Sequence, residues 1–334
     1  MEFPNFEKID RLKQLIDDTY RPLIDGDYVM LDFPNYRNIG DNLIWKGEEE
    51  FMKTIPHKCL YAANINAFQK HKVPKGAIIL LQGGGNFGDI YNNLQSFRLK
   101  IIQSFPDHKI IIFPQTIHYE NDAEFIRQAE ILKAHKNLYI TARDSVSKSN
   151  LESVGINERV LFAPDMAFWI DFSEFFSNKK TGKSLYMKRV DSELNNNYID
   201  GAIINILEHH HPGNNIEILD WPSYTSNKAI NKFVSVLDGL ETKASRVLSK
   251  IPIVEKIIDS KYGLNPKSNM SNYILTGIEF INSYDLICTT RLHGFILSVL
   301  LNKNVRIIDN SYGKNSNFYN TWMKDFDNVE LVKK

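Results

Sequence analysis

Through the first half of the chain, short β-branched runs alternate with segments whose apolar residues recur near every 3.6 positions. The runs read as strands over 28–33, 58–62, 77–82, 109–114, 138–142 and 160–163, and the segments between them as helices over 42–53, 92–105, 121–135 and 145–154. This rhythm predicts βαβ units and a parallel sheet covered on both faces. From 171 to 198 the chain turns polar, with SNKKTGKS and LNNNY, and a linker is expected over 173–198. Beyond it the apolar pattern resumes with a strand over 201–207, a helix over 227–238 and apolar segments over 274–281, 286–289 and 305–309. The expected division is a first domain over 1–172, a second over 199–316, and an aromatic-rich closing segment, 317–334, that crosses back onto the first. The fold class is α/β, two doubly wound domains facing a cleft, with the useful residues just past the carboxyl ends of strands.

At 334 residues the chain is long for one apolar core, which agrees with two domains. Lys plus Arg and Asp plus Glu both number 40, so no summed field draws nucleic acid, and any anion recognition must be local. Cys59 and Cys288 sit in separate apolar runs, which suits free thiols in a reducing compartment. The first twenty residues lack the apolar core of a secretory signal, and no run approaches the ~20 apolar residues that cross a bilayer. A cytoplasmic protein is expected. The basic, amphipathic stretch 240–263 offers a face for peripheral membrane contact or a cover for the cleft, as well as reading as a solvated helix.

Candidate chemistry sits at strand ends. NYRNIGDNLIW follows the first strand; Gly40 permits a tight turn, and Asp41 reaches the cleft or simply helps cap the next helix. The strand GAIILLQ runs into GGGNFGDIY, where consecutive glycines let backbone pass close to a ligand and cradle an anion, bringing in Gly84, Gly85, Asn86 and Asp89. No Gly-Lys-Ser/Thr follows and the spacing is not GxGxxG, so neither ATP nor NAD is inferred. Gln115, Thr116 and His118 follow KIIIF, Asp165 follows VLFA, and Arg143 follows LYITA with a planar fork suited to phosphate or carboxylate, or to Asp144 beside it.

The sharpest cluster is DLICTTRLHGFILSVLL. An apolar strand ends at Thr289, Thr290 can cap, and Arg291 and His293 occupy the first turn of an apolar helix. Backbone N–H groups, the positive end of the helix dipole and a guanidinium converge there, which favours a dianion. A cation in that turn opposes the dipole unless an anion is present, and His293 beside the anion is a candidate acid or base. Lys314, just past the next strand, can join Arg291 on the same anion. In ILEHHHP, neighbouring histidines on an extended chain face opposite ways, so no metal site is expected; Glu208 and His209 are read as a strand-end loop touching substrate.

Taken in order, NIGDN, the GGG loop, PQT, ARDS, APD, TTRLHGFI, NSYGKN and Trp322 resemble the polysaccharide pyruvyl transferase family, with RLHG and the Gly313-Lys314 pair as the specific part. The resemblance implies Rossmann-like domains similar to the B-type glycosyltransferases, the first on the acceptor side and the second on the donor side. It implies phosphoenolpyruvate as donor, with no separate cofactor, and a sugar or lipid-linked oligosaccharide as acceptor. The product implied is a pyruvate ketal in bacterial surface polysaccharide, exopolysaccharide or capsule, made at the inner face of the membrane. Arg143, Arg291 and Lys314 would hold the donor, His293 would carry the proton, and Asp41 or Asp89 would orient sugar hydroxyls. The sequence departs where ILEHHHP stands in place of an expected strand ending in Arg. A nucleotide-sugar glycosyltransferase of the same architecture would bind its diphosphate at the same helix start, whereas a non-catalytic sugar-binding module has no need of a positioned acid.

Overall fold

The computed structural model describes residues 5–36, 38–191, 193–195, 200–222 and 267–332, the side chains of 267–272 excepted. The first part runs α1 (Phe6–Tyr20), β1 (Tyr28–Leu31), α2 (Ile39–Met52), β2 (Cys59–Ala63), β3 (Ile78–Leu81), β4 (Gly84–Gly88), α3 (Asn92–Ser104), β5 (Ile110–His118), α4 (Asp122–Ala134), β6 (Leu138–Ala142), α5 (Ser145–Ser153) and β7 (Val160–Phe162). The second runs β8 (Lys183–Met187), α6 (Asp200–His210), β9 (Asn215–Leu219), α7 (Lys267–Asn282), β10 (Leu286–Thr289), α8 (Leu292–Leu300), β11 (Asn304–Ile307), α9 (Lys314–Phe318) and β12 (Val329–Leu331).

Two parallel sheets result. The first has the order β2-β1-β3-β5-β6-β7, with β4 pairing β5, and the second β12-β11-β10-β8-β9. Counted within its own sheet, each begins with the order 2-1-3 and grows outward. The winding therefore reverses between β1 and β3, and again between β8 and β10. Open α/β sheets bind ligands beyond the carboxyl ends of strands at such reversals.

Several elements differ from the pattern-based expectation. The glycine run is not a plain loop: Gly84–Gly88 forms β4 beside the outer half of β5, which continues through Pro114 because its register with β6 shifts between Ile112 and Gln115. Gly88 has φ of 137°, and a Cβ there would lie 1.6 Å from the His118 carbonyl oxygen, so only glycine fits. The stretch 201–207, expected as a strand, belongs to α6, because Ile203 and Leu207, four residues apart, are its buried face. The segment 274–281 is likewise the helix α7. The linker expected over 173–198 contains β8, a buried strand paired to both β9 and β10. The helix expected over 227–238 and the basic stretch 240–263 lie outside the described residues.

The largest apolar cluster is shared by the two sheets, and α2 runs through it. This helix packs on α7, on α8 and on the turn Met166–Trp169. Two glycines allow the approach: a Cβ on Gly47 would lie 1.9 Å from the Met166 carbonyl oxygen, and one on Gly277 would lie 2.9 Å from Ile39 Cγ2. The closing segment also touches the first sheet, since Trp322 stacks on Phe162 at 4.9 Å and donates its indole N–H to the Arg143 carbonyl. Cys288 is buried on β10 and Cys59 half-buried on β2, both as free thiols. Among the described residues no helix is long and apolar enough to cross a membrane.

Candidate functional site

One pocket of about 360 Å³ takes its lining from the carboxyl ends of strands in both sheets. Past β1 come Tyr36, Asn38, Gly40 and Asp41; past β3, Gly85 and Asn86; past β6, Arg143. From the second sheet come Arg189, Asp191 and Glu193 past β8, Trp221 past β9, Arg291, Leu292 and His293 past β10, and Lys314 past β11. Tyr91 and Leu94, at the start of α3, complete it. The reversals at β1/β3 and β8/β10 therefore both open onto this space.

Asp165 organises its floor. Its Oδ2 lies 3.1 Å from His293 Nε2 and accepts from Arg143 Nη1 at 2.6 Å, while Oδ1 accepts from the Ala167 amide. Burial by itself would raise this carboxyl, but the neighbouring imidazole and guanidinium outweigh burial and hold it well below the usual carboxylate range. An imidazole nitrogen facing an ionised carboxylate carries the proton, so Nε2 is the anchored nitrogen and Nδ1 the one left for chemistry. Gly40 sets how closely α2 meets that edge, because a Cβ there would lie 2.7 Å from Nδ1. Arg143 is also steadied by Thr116, whose hydroxyl accepts from Nε at 2.9 Å, and its Nη2 points along Gly85, where a Cβ would lie 2.9 Å away.

Arg291 is the N-cap residue of α8, not inside its first turn, and its amide donates to Thr289 Oγ1. The anion that its position requires is supplied by the protein. Asp220 takes Nε and Nη2 at 2.8 and 2.6 Å, and Asp191 takes Nη1 at 2.7 Å. Lys314 is buried against Glu193, which also pairs with Arg189 at 2.8 Å. Burial lowers the Lys314 ammonium to about 8, with Glu193 opposing that fall and Arg189 and Arg143 adding to it. Asp41, held by the Tyr36 hydroxyl and the Asn38 side chain at 2.8 Å each, has its carboxyl raised by burial, which His293, Tyr36 and Lys314 only partly offset.

The pocket thus brings together Asp41, Gly85, Asn86, Arg143, Arg291, His293 and Lys314 among the residues expected from sequence. It does not include the others. Asp89 accepts from the amides of Glu120 and Asn121 and fastens that turn. Gly84 and Gln115 pair β4 with β5, and Gln115 Nε2 donates to the Gln82 carbonyl. Thr116 acts on Arg143. Glu208 and His209 lie on the exposed face of α6 near its end, where a histidine suits the helix dipole. The expected strand ending in Arg is present, not replaced by ILEHHHP: it is β8, with Arg189 two residues beyond Met187. The apolar run SLYM followed by KR carried the same signal as LYITAR but was hidden in polar surroundings. Asp191, Glu193 and Asp220 were missed because the contacts that bring them to the site, Asp191 and Asp220 on Arg291 and Glu193 on Lys314, span far along the chain; the short-range pairs of Asp191 and Glu193 with Arg189 look like an ordinary charged stretch.

The chain matches the polysaccharide pyruvyl transferase family over residues 38–312. It is 34% identical over 312 residues to EpsO of Bacillus subtilis (strain 168), named as a candidate pyruvyl transferase, covering 92% of this chain and 89% of that one. It is 27% identical over 325 residues to pyruvyl transferase 1 of Schizosaccharomyces pombe (strain 972 / ATCC 24843), covering 91% of this chain and 72% of that one. A crystal structure of a functionally uncharacterised Klebsiella pneumoniae protein is similar in fold over the whole of both chains, with a TM-score of 0.53 and 20% identity. With RLHG and its partners assembled at one pocket and the match running through most of the chain, the protein belongs to the polysaccharide pyruvyl transferase family.

Proposed function

We propose that this pocket transfers the pyruvyl group of phosphoenolpyruvate to two hydroxyls of one sugar residue, forming a cyclic ketal in bacterial surface polysaccharide. The observation that carries this reading is the Asp165 bridge, which sets a guanidinium and an acid–base histidine side by side at a pocket otherwise rich in cations. The two sheets would then belong to two Rossmann-like domains facing the pocket, similar to the B-type glycosyltransferases, with identical 2-1-3 windings supporting the comparison.

In this scheme Arg143 Nη2, Lys314 and Arg189 meet the carboxylate and phosphate, while Arg291 contributes as its aspartates exchange for the donor. His293, carrying a proton on both ring nitrogens with the anionic donor beside it, delivers the Nδ1 proton to the methylene carbon, leaving a methyl group and an oxocarbenium-like centre at the phosphate-bearing carbon. One sugar hydroxyl attacks that centre and gives its proton to Asp41, whose carboxyl, raised by burial, is a stronger base than an exposed aspartate. The carbon–oxygen bond to phosphate then breaks, phosphate leaves with the electron pair, and the second hydroxyl closes the ring. Of the two hydroxyl protons, one restores His293 by way of Asp41 and the other leaves on phosphate. The acceptor is an uncharged diol on a sugar or lipid-linked oligosaccharide, with the exposed Tyr36 and Tyr91 of the lining available to contact it.

Incubation with phosphoenolpyruvate and candidate oligosaccharides tests the reading. Stoichiometric release of inorganic phosphate with a ketal on the sugar is expected. Sugar transfer from a nucleotide-sugar, with phosphoenolpyruvate untouched, would replace it with the glycosyltransferase reading.

A further inference from the structure

Glu193 makes more hydrogen bonds than burial of one carboxylate demands. It is 4% exposed. Its Oε2 accepts from Arg189 Nη1 at 2.8 Å, from Asn310 Nδ2 and the Tyr312 hydroxyl at 3.2 Å each, and from Lys314 Nζ. Its Oε1 accepts from the Tyr91 hydroxyl at 2.7 Å. These five donors come from three places: the stretch past β8, the segment from the β11–α9 loop to the first residue of α9, and the opening of α3 on the first sheet. Three of them, Arg189, Lys314 and Tyr91, line the pocket. Asn310 adds a second hold, since its Oδ1 accepts from the Lys314 amide at 2.7 Å and fixes the start of α9.

We propose that Glu193 is the positioning residue of the anion site, setting Lys314 and Arg189 in place and tying them to Tyr91 across the pocket. The assignment rests on the pocket being an anion site, as the proposed function holds, and not on which anion the reaction uses. The charged and titratable groups around Lys314 are Glu193, Arg189 and Asp191 from the β8 stretch, Arg143 from the end of β6, Asp41 near the start of α2, Arg291 and His293 at the start of α8, and Tyr91, His118 and Tyr312. Glu193 is the nearest carboxylate among them, and Lys314 is already lowered to about 8 by burial. Removing the negative charge leaves a buried ammonium facing two guanidinium groups, which both loosens it and favours its neutral form.

Sulfate binding to the full chain, measured by calorimetry from pH 6 to 10, isolates this effect because sulfate stays a dianion throughout. Wild-type affinity is expected to fall as pH rises through about 8. Glu193→Gln is expected to bind about tenfold more weakly at pH 8, with its upper limb moved about one unit to lower pH. Glu193→Asp, which keeps the charge and shortens the reach, is expected to restore the limb in part, and it serves as the test if the Gln variant fails to fold. An unmoved limb, or tighter sulfate binding in Glu193→Gln, would overturn the proposal; tighter binding would mean that Glu193 merely occupies the anion's place. Wild-type protein that binds sulfate with the expected limb yet never consumes phosphoenolpyruvate would sink the donor reading and leave Glu193 in its role. Turnover of phosphoenolpyruvate with an unmoved limb in the variant would do the reverse.

Discussion

Replacing Gly40 by alanine perturbs the proposed acid directly, because the three atoms nearest the added carbon all belong to His293. The added methyl would sit 2.7, 2.9 and 3.0 Å from Nδ1, Cγ and Cβ of His293. Non-bonded carbon and nitrogen settle at ~3.5 Å, so from 2.7 Å the ring has to retreat by roughly 0.8 Å. The helix cannot give way instead. The Gly40 amide donates to the Asn38 cap at 2.9 Å, and Gly47 pins α2 to the Met166 backbone. The imidazole therefore moves, disturbing its 3.1 Å contact with Asp165. Alanine is favoured over glycine in a helix by up to about 1 kcal/mol, which offsets part of the clash, and the backbone at position 40 is not left-handed. Misplacing a reacting group by about 1 Å costs on the order of 100-fold in rate. Gly40→Ala is thus expected to melt within a few degrees of wild type while kcat for phosphate release from phosphoenolpyruvate falls by about two orders of magnitude, with a smaller change in KM. A variant with wild-type kcat would refute the placement of His293 Nδ1 as the proton donor.

Other outcomes follow from the same geometry. His293→Ala should keep the fold and lose ketal formation, checked by circular dichroism beside phosphate release; unaffected turnover removes His293 from the mechanism. Asp165→Asn leaves Arg143, 1% exposed, without its charged partner, and should cost about 3–5 kcal/mol in denaturant unfolding as well as activity; a stability change under 1 kcal/mol would contradict the buried pair. The KM for the anionic donor should rise above about pH 8 as Lys314 loses its proton. The sign for stability is opposite: the folded-state value lies below the ordinary 10.5, so the unfolded chain binds more protons between the two, and this group's contribution to stability grows with pH across that window. Glu208→Ala and His209→Ala, on the outer face of α6, should leave kcat and KM within twofold of wild type, and a larger loss would bring that helix back into the site.

The first sheet was legible because its central strands are buried on both faces, so runs such as IILL and IIIF stand out as continuous apolar stretches. The second sheet was harder to read. The sequence AIINIL is as β-branched as a strand, and only the burial of Ile203 and Leu207 together decides for a helix, which is a tertiary fact. The strand KSLYM has polar neighbours on both sides that mask it. At the site, RLHG, ARDS and GKN could be found because strand-end position is visible locally. Their carboxylates could not: Asp220 meets Arg291 across 71 residues, Glu193 meets Lys314 across 121, and Asp165 meets His293 across 128. The carboxylates that meet Arg291 were therefore not legible beside it. Its counter-charge comes from Asp191 and Asp220, segments whose approach depends on the order of β8, β9 and β10 in the sheet.

A crystal structure of the protein with phosphoenolpyruvate bound is the most direct test of the proposed chemistry. The phosphate or carboxylate oxygens are expected within hydrogen-bond distance of Lys314 Nζ and Arg143 Nη2, with the methylene carbon turned towards His293 Nδ1. A donor seated outside this pocket, or one whose methylene carbon faces away from that nitrogen, would contradict the assignment.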